Sequence, residues 1–278
     1  MQTIIVATDF SPAAQSALDY TCALLHDKAP VAGEVLIVLL HTYTVPATYT
    51  NDGVSVAAMQ EAIAYAASRL AAEQQRANSA YRDVRIRTQL ETGGLRERLE
   101  TVVAALHPAA VVVGAGDYSN LWSWGADTLA ALRALPVPML VVPGHLRYTG
   151  LQTIGYACNC KNISTATPIA AIRAIALFTQ ATLHVIHIDT PEVARQPALG
   201  GGVDFLKEQL AGIPVEYHHL EHRSFLEALA RYIEAHPVGL LLLTPRRYGA
   251  WASLFRKSNT KAIARLNRLP VLALRERG

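Results

Sequence analysis

Met1-Gln2-Thr3-Ile4-Ile5-Val6-Ala7 and, 150 positions later, Leu151-Gln152-Thr153-Ile154-Gly155-Tyr156-Ala157 open two stretches of one chain in the same way. The likeness runs on. His107-Pro108 precedes Ala109-Ala110-Val111-Val112-Val113, and His236-Pro237 precedes Val238-Gly239 and the run Leu240 to Leu243. Near the end of the first stretch, Leu135-Pro136-Val137-Pro138-Met139-Leu140-Val141-Val142 answers to Leu269-Pro270-Val271-Leu272-Ala273-Leu274 in the second. A period this long is a whole domain, so the repeat is a duplication and not a solenoid. A chain of 278 residues suits two domains of ordinary size. They are expected at 1–145 and 151–278, with a short linker from Gly144 to Gly150.

Each half alternates short apolar runs with longer amphipathic ones. Strands are predicted near 2–8, 34–42, 84–90, 109–114 and 138–143, then near 152–157, 182–188, 214–221, 238–244 and 270–275. Helices are predicted near 12–26, 57–81, 94–106 and 124–134, then near 164–179, 201–211, 223–235 and 256–267. Runs such as Val111 to Val113 and Leu240 to Leu243 are apolar on both faces of a strand. That is the pattern of a parallel sheet covered by helices on each side. The alternation gives the doubly wound α/β class, Rossmann-like or flavodoxin-like, with right-handed crossovers.

Composition narrows the function classes. Hydrophobic residues make up 51% and charged residues 17%, enough to fill a core in each half and too apolar for a disordered chain. A formal charge of +3 gives no basic footprint for nucleic acid. Three cysteines, Cys22, Cys158 and Cys160, do not make an extracellular disulfide framework. The opening residues lack the basic flank of a secretory signal, and no apolar run is long enough to span a bilayer. The expectation is a soluble cytoplasmic protein without a membrane partner.

In open parallel sheets ligands sit beyond the carboxyl ends of the strands, where strand order reverses. Two loops of the first half therefore carry the search. One is Ala7-Thr8-Asp9-Phe10-Ser11-Pro12 after the first strand. Asp9 can accept hydrogen bonds from a ribose or contact an adenine, or it can simply shape the turn. Ser11 reads as a helix N-cap with Pro12 as first helical residue. The other loop is Gly114-Ala115-Gly116-Asp117, running on to Gly125-Ala126-Asp127-Thr128. Glycines between a strand and a helix let a phosphate approach backbone N–H groups, although a plain turn uses the same residues.

These loops resemble the universal stress protein family, once in each half. The opening strand followed by Ala7-Thr8-Asp9-Phe10-Ser11 is similar to that family's first strand and acidic loop. The late strand, glycine loop, helix and Leu135 to Val142 are similar to its closing segment. The resemblance implies two tandem domains of the adenine nucleotide alpha hydrolase-like type. Each would have a five-stranded, mostly parallel sheet in the order 3-2-1-4-5 with helices on both faces. It also implies that the halves pair about a pseudo-twofold axis as an intramolecular pseudo-dimer; a homodimer of whole chains is left open.

In ATP-binding members the late loop reads Gly-x2-Gly-x9-Gly-Ser/Thr, and the acidic residue of the first loop contacts the nucleoside. The first half offers Gly114-x-Gly116-x8-Gly125-Ala126, two residues shorter, with Thr128 as the substitute hydroxyl. By resemblance its nucleotide site comprises Ala7, Thr8, Asp9, Gly114, Gly116, Gly125 and Thr128, and its ligand would be ATP, with Mg, or another adenine nucleotide. The second half keeps the spacing, Thr244-x2-Arg247-x9-Lys257-Ser258, but loses all three glycines, and Asn159 stands where Asp9 would. ATP binding in the family manner is not expected there. Arg247, Lys257 and Ser258, with Arg246, Arg256 and Lys261 nearby, form either an anion site or a solvated basic surface.

No other constellation stands out. His184 and His187, three apart on a strand, face opposite sides and are poor co-ligands. His218 and His222 share a strand face but lack evident partners, so no metal site is expected. Cys158 and Cys160 read as ordinary loop or core cysteines. Trp122 and Trp124 cover a pocket, join the halves or simply pack their loop. Ala57 to Ala72 reads as a core-facing or partner-facing helix. Without a catalytic triad signature, a Walker loop or a nucleophile elbow, binding is favoured over catalysis. The functional expectation is a stress-response or regulatory protein that binds a nucleotide in its first half. Its alternatives are a scaffold acting through protein–protein contacts and a slow ATP hydrolase.

Overall fold

The structure is a computed structural model, and it describes residues 2–29, 34–43, 56–116, 135–158, 160, 163, 167–195, 202–244 and 268–275. Contacts divide the chain into two compact units, the change along the described residues falling between Tyr148 and Thr149.

The first unit runs β1 (Gln2–Ala7), α1 (Pro12–Asp27), β2 (Val35–Tyr43), α2 (Val56–Ala80), β3 (Arg85–Thr92), α3 (Leu95–Leu106), β4 (Ala110–Ala115) and β5 (Met139–Pro143). Its strands lie in the order β3-β2-β1-β4-β5, all paired in parallel. The central strands are buried on both faces: Ile37 to Leu40 in β2, Val111 to Val113 in β4 and all of β5. Such runs exclude water from the ladder, and each fully buried aliphatic side chain contributes about 1.5–3 kcal/mol. From β1 to β3 the chain steps in one direction across the sheet, and from β3 to β4 it returns. Right-handed crossovers therefore put α1 and α2 on one face and α3 on the other. Arg76 of α2 and Asp19 of α1 meet at 2.8 Å on the shared face.

The second unit repeats the plan: β6 (Thr153–Cys158), α4 (Ile169–Thr179), β7 (Thr182–Asp189), α5 (Pro191–Ala194), α6 (Gly202–Gln209), β8 (Val215–Glu221), α7 (Phe225–Ala235), β9 (Leu240–Leu243) and β10 (Val271–Ala273). The order β8-β7-β6-β9-β10 is again 3-2-1-4-5, and again parallel. The short α5 was not expected from periodicity. It is set by local chemistry: the Thr190 hydroxyl accepts from the Val193 N–H, with Pro191 in the first helical turn. The predicted helices at 124–134 and 256–267 lie outside the described residues. Among the described residues no helix is long and apolar enough to cross a membrane.

Candidate functional site

The strand order reverses between β1 and β4, which makes their carboxyl ends the crevice where this class of sheet receives ligands. Val6 stands opposite Val112 in the parallel register. Three residues on is Asp9 and four on is Gly116, so the two loops singled out by sequence leave the sheet at the same level.

The loop after β1 is held by its own side chains. Thr8 Oγ1 accepts from the Phe10 N–H at 3.0 Å, Asp9 Oδ1 from the Ser11 N–H at 2.9 Å, and Ser11 Oγ from the Ala14 N–H at 3.2 Å. The expected N-cap at Ser11 with Pro12 behind it is present. Phe10 takes a left-handed conformation, φ 65°. For a bulky residue this costs of order 1–3 kcal/mol and persists only where the surroundings impose it. Here they do: the ring lies 4.3 Å from that of His41, and the Arg69 guanidinium sits 4.8 Å above it. His41 Nδ1–H in turn donates to the Thr8 carbonyl at 2.7 Å. The outcome is an exposed Asp9 carboxylate in a fixed turn. With the Phe10, Ser11 and Ala14 N–H groups occupied, the side chains of the loop present acceptors, which suit hydroxyl or amino groups better than phosphate.

The two glycines of the late loop differ. Gly114 lies inside β4, and a Cβ there would stand 2.2 Å from the Ala13 carbonyl oxygen and 2.6 Å from the Ala14 nitrogen. Its bareness lets the first turn of α1 lie against the strand. Among the described residues Gly116 has nothing within 4 Å of the same construction. Gly125 and Thr128, like Asp117, Trp122 and Trp124, lie outside the described residues. So do Arg247, Lys257 and Ser258 of the second half.

Sequence reasoning missed Glu73. This carboxylate is 5% exposed, takes the Thr8 hydroxyl hydrogen at 3.3 Å and faces Gln15 Nε2 at 3.5 Å. It stands one turn beyond Arg69 on α2, just past the stretch Ala57 to Ala72 read as core-facing or partner-facing. The i, i+4 pair Arg69 and Glu73 on an alanine-rich helix was the available signal.

A sequence model of the universal stress protein family matches residues 1–143, more than half of the 278. The chain belongs to the universal stress protein family. Among solved structures, a universal stress protein from Archaeoglobus fulgidus is similar over 99% of this chain and 96% of its own, at 15% identity and a TM-score of 0.68. A putative universal stress protein from Pseudomonas aeruginosa is similar over 99% and 94%, at 14% identity and a TM-score of 0.56. These likenesses extend the tandem fold over both halves. A search of curated proteins finds no match.

The second half of this universal stress protein builds its crevice differently. Helix α4 begins only at Ile169, whereas α1 begins at Pro12, 150 positions before residue 162. Thr244 stands at the place of Gly114, and its hydroxyl lies 3.4 Å from that of the buried Tyr156. Instead of an acidic loop, β6 ends in Cys158, followed by Cys160, with their sulfurs 3.5 Å apart. The Cys158 thiol and then His187 hold the Cys160 thiol well below the ordinary thiol range, against the opposing effect of burial. His187 is raised, chiefly by its hydrogen bond to Cys160.

The histidines fall into two groups on opposite faces of the β7–β8 pair. On one, His184 and His218 lie 3.4 and 3.5 Å from Glu216. His184 Nδ1 also meets the Tyr232 hydroxyl at 2.8 Å. On the other, His187 Nε2 and His219 Nε2 lie 3.5 and 3.0 Å from the two oxygens of Asp189. The split of His184 from His187 agrees with their spacing. The pairing of His218 with His222 does not hold: β8 ends at Glu221, and the His222 ring turns back onto Ser224. What sequence spacing could not supply was the register, which sets His187 directly opposite His219.

Proposed function

We propose that the first half of this protein binds an adenine nucleotide, and that the chain serves a cytoplasmic stress response by coupling that occupancy to a partner or a conformational change. The observation that carries this reading is Asp9: an exposed carboxylate held in a fixed turn at the carboxyl end of the central strand, where strand order reverses. Oδ1 is occupied by the loop itself, and among the described residues no hydrogen bond takes Oδ2, which is the acceptor offered to the nucleoside. Gly116 supplies a bare backbone for the phosphates, and Arg69 a cation beside the loop. Membership of the universal stress protein family supports the same ligand class. The second half, with Tyr156 and Thr244 in its crevice, is assigned no nucleotide.

The test is calorimetric titration of the nucleotide-stripped protein with ATP and magnesium, repeated on Asp9→Ala. One site per chain, weakened at least tenfold by the substitution, is the expected result. An absence of heat and of thermal stabilisation at millimolar ATP would remove the nucleotide from the reading and leave the fold as a scaffold.

A further inference from the structure

The second half carries a cluster that the nucleotide reading does not use. His187, Asp189 and His219 bring one donor atom each within 4.8 Å of one another. They sit on adjacent strands near their carboxyl ends, on the side that carries ligands in this fold. Two histidines and one carboxylate are the donor set of open divalent transition-metal sites, zinc among them. The spacings fit. A tetrahedral ion with donors at about 2.0–2.1 Å has donor–donor edges of about 3.3–3.4 Å. The His187 to Asp189 and His219 to Asp189 distances are 3.5 and 3.0 Å. The two imidazoles lie 5.1 Å apart with planes 14° apart, and each turns its Nε2 to an oxygen of Asp189.

The surroundings of His187 supply the outer support such a ligand needs. Its Nδ1 accepts from the Cys160 N–H at 3.1 Å, with the Cys160 thiol and the Cys158 carbonyl beside it. An ion at Nε2 needs the tautomer with its proton on Nδ1, so binding exchanges the Cys160 N–H bond for one from Nδ1–H to a neighbouring acceptor. Exposure is graded as an entry path requires: the side chains of His187 and Asp189 are 12% and 19% exposed and that of His219 is 55%.

We infer that His187, Asp189 and His219 form a binding site for a divalent transition metal of the zinc class, with a fourth position open to solvent and Cys160 acting on His187 from the outer shell. The duplicated half would then have kept the mouth of the fold and changed its ligand from a nucleotide to an ion.

The experiment uses the full chain, freed of metal by chelation and titrated with Co2+ followed optically, then with Zn2+ as competitor. The expected result is one Co2+ per chain with tetrahedral absorption, displaced by Zn2+, and a Zn2+-dependent rise in melting temperature. His219→Ala and Asp189→Asn should each weaken binding by at least about 10–100-fold, the loss seen when even outer-shell partners are removed. His219 is half exposed, so its variant is expected to fold, and circular dichroism checks that it does. Glu216→Gln, on the opposite face, and Cys160→Ser should both still bind one ion. Binding that survives in His219→Ala and Asp189→Asn but disappears in Cys160→Ser would place the ion on the thiols and overturn the assignment. So would loss only in Glu216→Gln, or no Co2+ uptake by the wild-type chain.

Discussion

Replacing Gly114 by alanine tests whether that glycine serves packing or ligand approach. The new Cβ would sit 2.2 Å from the Ala13 oxygen and 2.3 Å from the Ala13 carbon. A close C···O contact is about 3.3 Å, so helix and strand must separate by roughly 1 Å. The obstructing atoms are backbone, and no rotamer relieves them. Ala13, Ala14, Ala17 and Leu18 of α1 are buried, so the displacement is felt through the helix interface. Overpacking costs about 1–3 kcal/mol, and a backbone clash belongs at the upper end. Relief of the entropic handicap of a strand glycine returns about 0.5–1 kcal/mol. The net expectation is a loss of about 2 kcal/mol. It is read by urea unfolding as a lower midpoint at unchanged slope in the transition of the first unit. Gly116→Ala is the matched control. Among the described residues its Cβ meets nothing within 4 Å and its φ is not in the left-handed region, so its stability should stay level or rise by about 0.4–1 kcal/mol while ATP binding weakens. A Gly114→Ala variant within about 0.5 kcal/mol of wild type would refute the packing argument.

Three further outcomes follow from single groups. Tyr232→Phe leaves His184 Nδ1 without its buried partner at 2.8 Å and should cost about 1–3 kcal/mol in chemical unfolding; a neutral result would mean that the hydroxyl contributes nothing. His184 is depressed, mainly by burial, with His218 and His236 acting the same way and Glu216 opposing. The unfolded chain therefore takes that proton first. The contribution of His184 is whole above about pH 6.5 and is lost as pH falls below it. His187 is raised and pulls the other way, so the readout is the difference between wild type and His184→Gln across that window. A difference of opposite sign would contradict the assignment. Cys22 is fully buried, and burial pushes its thiol up to about 12. Labelling at pH 8 followed by peptide mass spectrometry should find it unmodified until the first unit unfolds, and rapid native labelling would show an opening that the structure does not contain.

The sheet was legible because its evidence is periodic. Runs buried on both faces, repeated at the same spacing in each half, admit few other topologies, and the strand order follows family likeness and handedness together. The turn after β1 was legible for a local reason: Ser11 and Pro12 are a helix start whatever surrounds them. The site was less so. Gly114 and Gly116 look alike in a sequence, and only the approach of α1 separates their tasks. Glu73 lies 65 positions from Thr8, and nothing local marks the contact. The left-handed Phe10 gives no sign either, because the ring of His41 and the guanidinium of Arg69 that hold it come from elsewhere in the chain.

The second half shows why an alignment of glycines is a weak guide to what a duplicated domain does. Its strands, order and crevice persist, since they depend on apolar runs such as Leu240 to Leu243 that tolerate exchange of one aliphatic residue for another. Its loops depend on single positions. Thr244 stands where the first half has a packing glycine, and α4 begins at Ile169. Near the ends of β6, β7 and β8 stand Cys158, Cys160 and the register partners His187 and His219, thiols and imidazoles where the first half has an acidic turn. The same strand plan thus carries an exposed carboxylate after β1 and a pair of imidazoles near the ends of β7 and β8, because the strands fix those positions and leave their residues free to change.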